Sequence, residues 1–158
     1  MAAHVHRIGD PENASETKAI KHLAATLPDG YLIFHNFELT TGRGLPYEYD
    51  MAVVGEFAVW HVEVKGYRGN IKGDQNQWIF ENGYRQPSPI PLANKKSKIL
   101  KSKLVNHGGA LRDVYVETCV LLTDDKAKIR IRDDQNGKII QLKDALDGWG
   151  QNNDQDAV

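Results

Sequence analysis

Apolar and polar residues first follow a helical period and then, beyond residue 30, the shorter period of strands. Between Asn13 and Leu27 the apolar residues recur at helical spacing, and a Pro-Asp-Gly sequence at 28–30 follows them. Asn13 and Ser15 are both suitable N-cap residues for such a helix. The pattern therefore predicts an amphipathic first helix over residues 13–27.

Short runs of β-branched and aromatic residues follow and predict a series of strands. They lie at Tyr31–Phe37, Tyr49–Val54, Phe57–Lys65, Gly69–Lys72 and Gln77–Phe80. Beyond three closely spaced prolines, a second helix is expected from about Leu92 to Asn106. The apolar segment Val114–Leu122 is typical of a buried strand. This order of helix, strands, helix and strand indicates an α/β domain.

Composition limits the classes of protein to which the chain can belong. With 158 residues, of which 41% are apolar, the chain can form one proper core. Its 20 lysines and arginines nearly balance 21 acidic residues, so contact with a nucleic acid must depend on local patches. A single cysteine excludes an internal disulfide framework, and no apolar run reaches the length of a membrane span. We expect a cytoplasmic protein with no membrane partner.

The segment from Tyr49 to Lys65 contains the residues with the clearest chemical potential. Glu63 and Lys65 are two positions apart and therefore share one face of the predicted strand. If Gly55 and the next residue form a two-residue turn, Asp50 lies opposite His61 and diagonally across from Glu63. Both carboxylates can then approach one ion.

This grouping suits the binding of a divalent metal. Asp50, Glu63 and the backbone carbonyl of Val64 offer the hard oxygen ligands that Mg²⁺ (or Mn²⁺) prefers. Lys65 can orient an attacking water or offset negative charge in a transition state. In the alternative interpretation, Asp50 ends a loop while Glu63 and Lys65 are surface charges on a strand. His61 is either an accessory residue of the site or a structural histidine.

The ordered motifs resemble those of the nuclease-related domain, NERD, a branch of the PD-(D/E)XK nuclease-like superfamily. The matching features are Ser15-Glu16 on the first helix, Tyr49-Asp50, Val62-Glu63-Val64-Lys65, Gly69-Asn70-Ile71 and Trp78. The resemblance covers roughly Asn13 to Val105. It implies a restriction-endonuclease-like α/β core, with a mixed sheet flanked by helices.

The resemblance also implies a function and a set of catalytic residues. It implies metal-dependent hydrolysis of phosphodiester bonds, with DNA as the substrate, in a module of a larger bacterial antiviral defence protein. The implied catalytic set is Glu16, Asp50, Glu63 and Lys65. Glu16 is also what a helix dipole favours in a first turn, so a capping role stays open. Asn94 stands where the family usually has glutamine, which makes it an accessory position. The alternative is a catalytically silent module that binds a nucleic acid or a partner.

A lysine-rich second helix is the best local candidate for phosphate contact. Lys95, Lys98 and Lys101 form a stripe that either binds a nucleic-acid backbone or is simply solvated. We divide the chain into a flexible N-terminus at 1–12, a NERD-like domain at 13–123, a C-terminal extension of the domain at 124–147 and a polar tail at 148–158, which we expect to be disordered or a linker. Further domains of a longer chain are expected as partners.

Overall fold

The computed structural model describes residues 3–131 and 138–149, in which two mixed β-sheets are flanked by helices. The first sheet has six strands in the order β1-β2-β3-β4-β8-β10. Their bounds are β1 His4–Arg7, β2 Leu32–Leu39, β3 Tyr47–Val54, β4 Val59–Lys65, β8 Val116–Leu122 and β10 Ile139–Gln141. Strands β2, β3 and β4 pair antiparallel, while β4, β8 and β10 pair parallel. The predicted mixed sheet flanked by helices is confirmed.

The second sheet has four strands in the order β7-β6-β5-β9. Their bounds are β5 Gly69–Gly73, β6 Gln77–Phe80, β7 Arg85–Pro87 and β9 Ala127–Ile131. One face of this sheet is apolar and packs onto β8 through a cluster that includes Ile71, Trp78, Val120 and Leu122. The other face therefore points away from the core.

Two helices cover opposite faces of the first sheet. Helix α1, Ala14–Thr26, buries Ala19 and Leu23 against β3 and β4. Helix α2, Ile90–Asn106, packs on the other face, where Leu100 meets β3 and β4. Within residues 3–131 and 138–149, no helix is both long and apolar enough to cross a membrane.

The N-terminal segment and the C-terminal tail contribute more to the fold than the sequence predicts. The expected flexible N-terminus is wrong for β1, which pairs in parallel with β2. The expected polar tail is wrong at its start, because Trp149 is fully buried and its ring stacks on Trp60 at 5.5 Å. β1 gains backbone pairing with a distant strand and Trp149 gains apolar burial, and local composition reveals neither. The rest of the predicted tail, 150–158, lies outside the described residues.

The hairpin between β3 and β4 differs in register from the prediction. Val54 lies opposite Val59 rather than Phe57, because the connection is longer than two residues. The backbone N–H of Gly55 donates to the carbonyl of Ala58 at 2.9 Å, which closes this longer turn. The predicted pairing of Asp50 with His61 is therefore wrong.

This change of register moves the carboxylates closer together. His61 lies opposite Ala52, and the last regular pair is Met51 with Val62, so Asp50 and Glu63 are the residues that follow this pair on the two strands. The shift is by an even number of positions, so no strand face is exchanged. Asp50 and Glu63 thus both lie just beyond the end of the regular pairing, instead of diagonally across a continuous ladder.

Candidate functional site

Asp50 lies where the regular pairing of the central strands stops. The last backbone pair between β3 and β4 is Met51 with Val62. Beyond it, the backbone N–H of Val64 donates to Oδ2 of Asp50 at 2.8 Å. Opposite Asp50 on β2, Asn36 has a φ of 56°, a left-handed conformation that interrupts the strand there. Because both strands are irregular here, the Asp50 carboxylate lies at the end of the β3–β4 pairing, where it accepts a backbone hydrogen bond.

Two side chains, those of His61 and Lys96, hold Glu63 in place. Its side chain is only 12% exposed. Nε2 of the fully buried His61 lies 2.9 Å from Oε1 of Glu63. The ammonium of Lys96 from α2 donates to the same oxygen. These contacts leave Oε2 of Glu63 without a hydrogen bond among the described residues.

A buried network fixes the histidine that contacts Glu63. Nδ1 of His61 lies 2.9 Å from Oγ of Ser97 and 3.1 Å from the carbonyl of Ala93, both on α2. Ser97 is in turn 2.7 Å from Oγ1 of Thr118 on β8. The ring orientation is therefore set by three secondary-structure elements. Such outer contacts hold a ligating side chain in one geometry.

Lys96 is the basic residue closest to the carboxylates. It is buried although it lies on a lysine-rich helix. Its ammonium lies 5.1 Å from the ring centroid of Tyr49, and its carbonyl accepts a hydrogen bond from the Tyr49 hydroxyl at 2.8 Å. A buried lysine requires a partner for its charge, and Glu63 supplies it. Lys96 is thus part of the site and not of the exposed stripe.

The two neighbouring carboxylates have opposite shifts in pKa. Burial, followed by the nearby negative charge of Glu63, raises the pKa of Asp50 from 3.8 to about 7. Burial also acts to raise the pKa of Glu63, but the His61 hydrogen bond and the Lys96 charge outweigh it and lower that pKa to about 2. The site therefore holds one firmly ionised carboxylate beside one whose charge is poorly compensated.

Glu16 contributes negative charge from the first turn of α1. Its backbone N–H donates to Oδ1 of Asn13, while Nδ2 of Asn13 donates back to Oε2 at 3.0 Å, a reciprocal helix cap. Nδ2 of Asn36 also donates to Oε1 of Glu16 at 2.7 Å. The charge of Glu16 helps to raise the pKa of Asp50. Glu16 thus joins the helix cap to the strand irregularity beside Asp50.

The other residues that the sequence predicts for the site do not all contact Asp50 or Glu63. Lys65 lies two positions after Glu63 on β4, and its ammonium makes no hydrogen bond or ion pair with any described residue. The Oδ1 of Asn94 accepts a hydrogen bond from Lys138 at 3.0 Å, and no described contact joins this side chain to Asp50 or Glu63. Val64 contributes its N–H to Asp50, so its carbonyl is close to the same strand edge.

The predicted lysine stripe on α2 divides between two flanks of the helix. Lys98 and Lys101 line a depression with Lys138 and β8. The ammonium of Lys95 instead lies 5.5 Å from the ring centroid of Tyr47 on β3. The three predicted nucleic-acid contacts are exposed, but they do not form one continuous row.

The carboxylates offer few donors for a metal ion. Among residues 3–131 and 138–149, no cluster of three or more His, Cys, Asp or Glu side chains is placed to hold one. Asp50 and Glu63 each keep one oxygen without a hydrogen bond to a described residue, Oδ1 and Oε2. Two free carboxylate oxygens fit an ion that retains several waters, as Mg²⁺ does.

Comparison with known proteins identifies the family of this chain. The sequence model of NERD, the nuclease-related domain, matches residues 11–123. The chain belongs to the NERD family. The NERD match includes Glu16, Asp50, Glu63 and Lys65, and it ends just after β8.

One similar protein carries the match within a much longer chain. It is a "Probable kinase PglW" of Streptomyces coelicolor, 28% identical over 137 residues. The alignment covers 82% of this NERD chain but only 9% of that relative. The search of solved structures gave no match.

Lys96 is the site residue of this NERD domain that sequence reasoning overlooked. Five lysines on α2 look equivalent in composition. Ala93, Ser97 and Leu100, however, mark the inward side of the helix by their small or apolar side chains. Lys96 lies on that same side at helical spacing, which is the signal that could have identified it.

We expect Asp50→Asn to stabilise the metal-free domain at pH 8. The pKa of Asp50 lies at about 7 in the folded state and near 3.8 in an unfolded chain, so ionisation of this carboxyl opposes folding. The corresponding stability is present below the unfolded pKa and is lost as pH rises through about 7. Thermal unfolding in EDTA should show a higher Tm for the variant, by roughly 2–4 °C for each kcal/mol gained.

The matched control is Asp113→Asn, which removes an exposed carboxylate. Its Tm should not differ from that of the wild type at pH 8 or at any lower pH down to about 4. The advantage of Asp50→Asn should shrink as pH falls from about 7 towards 4. A variant less stable than the wild type at pH 8 would contradict this electrostatic description.

We expect Lys96→Met to destabilise the domain strongly, whereas Lys98→Met on the same helix should have little effect. Removing one partner of a buried ion pair costs roughly 3–5 kcal/mol, and the low end applies because both side chains retain some exposure. Chemical denaturation of the two variants in EDTA measures the difference. Equal losses of unfolding free energy would show that the contact of Lys96 with Glu63 adds no stability.

Proposed function

We propose that this NERD domain is a divalent-metal-dependent nuclease that hydrolyses phosphodiester bonds, with DNA as its substrate. The observation that carries the proposal is that Asp50 and Glu63 both lie just beyond the last regular pair of β3 with β4, close enough for the charge of Glu63 to raise the pKa of Asp50. Two carboxylates this close are unfavourable unless a cation neutralises them. A divalent ion bound by the carboxylate oxygens would relieve that repulsion. It would also supply the metal-dependent phosphodiester hydrolysis that the family resemblance implies.

The free oxygens of this pair support Mg²⁺ or Mn²⁺ as the cofactor. Asp50 and Glu63 would hold the ion together with the carbonyl of Val64, and water would complete its coordination. A bound ion of this kind polarises the phosphodiester and acidifies a coordinated water. The binding set thus consists of hard oxygen donors only.

The residues around the ion would each have a separate role. His61 and Lys96 are positioning residues, because they hold Oε1 of Glu63 and leave Oε2 available. Lys65 would orient the attacking water or stabilise developing negative charge, since its ammonium has no partner among the described residues. Glu16 would support Asp50 from α1 through its link to Asn36.

Substrate contact would involve the exposed lysines of α2. Lys98 and Lys101 share a depression with Lys138, and these cations suit the phosphates of a nucleic-acid backbone. Lys95 would contact a phosphate on the other flank of the helix. The described cations of this region would contact phosphates and not base edges, so we propose binding with little sequence preference.

The similarity to part of a longer kinase supports a modular role. This chain spans about 9% of the length of that relative. We propose that the domain acts beside other domains of a larger protein, and that it serves in bacterial antiviral defence as the family resemblance implies. The cytoplasm is the compartment proposed for it, given its single buried cysteine.

One observation favours a second function, a catalytically silent module that binds nucleic acid. Glu63 is already paired with the Lys96 ammonium and in hydrogen-bond contact with His61, so the fold satisfies this carboxylate without an ion. A protein that binds DNA without cleaving it would keep the same sheet and the same exposed lysines. Cleavage assays distinguish the two functions directly.

We expect the purified domain to nick supercoiled plasmid with Mg²⁺ or Mn²⁺ but not with EDTA. Lys65→Ala and Asp50→Asn should each lower the rate about 100-fold or more, which is typical when an electrostatic group at a reacting centre is lost. Lys143→Ala and Asp113→Asn alter exposed charges and serve as the matched controls. Parallel reactions with RNA test the choice of substrate.

A stability measurement accompanies the cleavage assay. A ligand at 100 times its Kd stabilises the folded state by about 2.7 kcal/mol, so Mg²⁺ should raise the Tm of the wild type and not that of Asp50→Asn. Equal nicking by wild type and both site variants would reject the assignment. Retained DNA binding with no cleavage by the wild type would favour the silent module.

A further inference from the structure

The outer face of the four-stranded sheet is basic and lies apart from the carboxylates. Strands β5, β6 and β9 turn Ile71, Trp78 and Ala127 towards the core. Because side chains alternate along a strand, the intervening residues point outward. The outward residues are Asn70, Lys72, Ile79, Arg85, Lys128 and Arg130.

Strand register arranges three of these cations in one row. Arg85 pairs with Ile79, Ile79 pairs with Lys72, and Lys72 pairs with Arg130. The row crosses all four strands, which at about 4.8 Å for each strand spacing gives a length of roughly 14 Å. Lys128 lies two residues before Arg130 on the same face. We call Lys72, Arg85 and Arg130 the basic row.

The basic row brings like charges together. None of its three members forms an ion pair with a described residue, and Lys72 lies directly beside Arg130. Like charges directly opposite each other on neighbouring strands destabilise a sheet. Two acids, Glu81 and Asp74, line the depressions beside the row, and their hydrogen bonds with Asn70 and with backbone N–H groups leave their negative charges in place. The cations Lys72, Arg85, Lys128 and Arg130 outnumber these two acids, so the described part of this face is net positive in a chain of net charge −1.

The surface shape around the basic row also suits a ligand. Two depressions of about 390 and 600 Å³ lie on this face, and Lys72, Ile79 and Arg130 line both of them. Cations that line a concave surface concentrate positive potential there. An extended polyanion could therefore run across several strands and contact successive cations.

We propose that the basic row binds the sugar–phosphate backbone of DNA, as a second contact surface in addition to α2. This role deepens the proposed function and rests on it for the choice of DNA as the polyanion. The cross-strand repulsion between Lys72 and Arg130 is relieved when a phosphate lies between them. Binding at this face is independent of sequence, because its groups contact the backbone and not base edges.

The test uses a short fluorescent DNA duplex in EDTA, so that binding is measured without cleavage. The triple variant Lys72→Gln, Arg85→Gln, Arg130→Gln should bind about 10-fold or more weakly at low salt. The slope of log affinity against log salt should become shallower by about 2 to 3 between about 50 and 200 mM salt, because each lost phosphate contact removes about 0.9. Equal affinity and slope for the triple variant and the wild type would overturn the proposal.

A charge-matched control and a reversal variant separate binding from folding. The control changes Lys21, Arg112 and Lys143 to glutamine, all exposed and all outside this sheet, and should leave affinity unchanged. Lys72→Glu should form a cross-strand ion pair with Arg130, which would raise Tm while weakening DNA binding. A fall in Tm together with unchanged binding would contradict the proposal.

Two further comparisons test whether this face binds a different ligand and whether the basic row and the proposed nuclease can fail separately. Loss of binding to phosphatidylserine vesicles in the triple variant, with DNA binding intact, would assign the face to lipid headgroups and overturn the proposal. Nicking of plasmid by the wild type with no loss of affinity in the triple variant would reject the basic row alone. Absence of nicking with the expected loss of affinity would reject the nuclease and leave the basic row supported.

Discussion

Two half-buried carboxylates brought together where the pairing of β3 with β4 ends are the constraint on which the site depends. The negative charge of Glu63 raises the pKa of Asp50, so two ionised carboxylates here are unfavourable without a compensating positive charge. The protein compensates one of them: Lys96 and His61 hold Glu63 ionised. The other carboxylate is left with a raised pKa, and the proposed metal ion would supply the positive charge that its ionised form lacks.

The surrounding fold supports that arrangement, and the strands β2 and β3 are irregular as a result. β3 loses its regular pairing at Asp50, and β2 adopts a left-handed conformation at Asn36, opposite it. The side chain of Asn36 then reaches Glu16 at the start of α1, so the cap of a helix and the edge of the sheet are joined. On the other face, α2 supplies Lys96 and Ser97. The site thus requires both helices as well as the two central strands, and local strain at such a place is common in functional sites.

Sequence reasoning was most successful where periodicity and local turn chemistry decide the structure. It predicted α1, the central strands and the shared face of Glu63 and Lys65, because strand alternation is insensitive to an even shift in register. It failed for the turn after Val54, because the number of residues in that loop is set by packing and not by the Gly55 signal alone. It also missed β1 and Trp149, which gain their stability from distant strands and from Trp60. The burial of Lys96 depends likewise on a partner 33 residues away in the chain.

The most direct measurement is the anomalous scattering from crystals of the domain soaked in Mn²⁺. We expect a single strong manganese peak bound by Oδ1 of Asp50 and Oε2 of Glu63, with Lys96 still on the opposite oxygen of Glu63. The same soak of Asp50→Asn crystals should lose that peak. Wild-type crystals at saturating Mn²⁺ that show no peak between the two carboxylates would contradict a shared metal site.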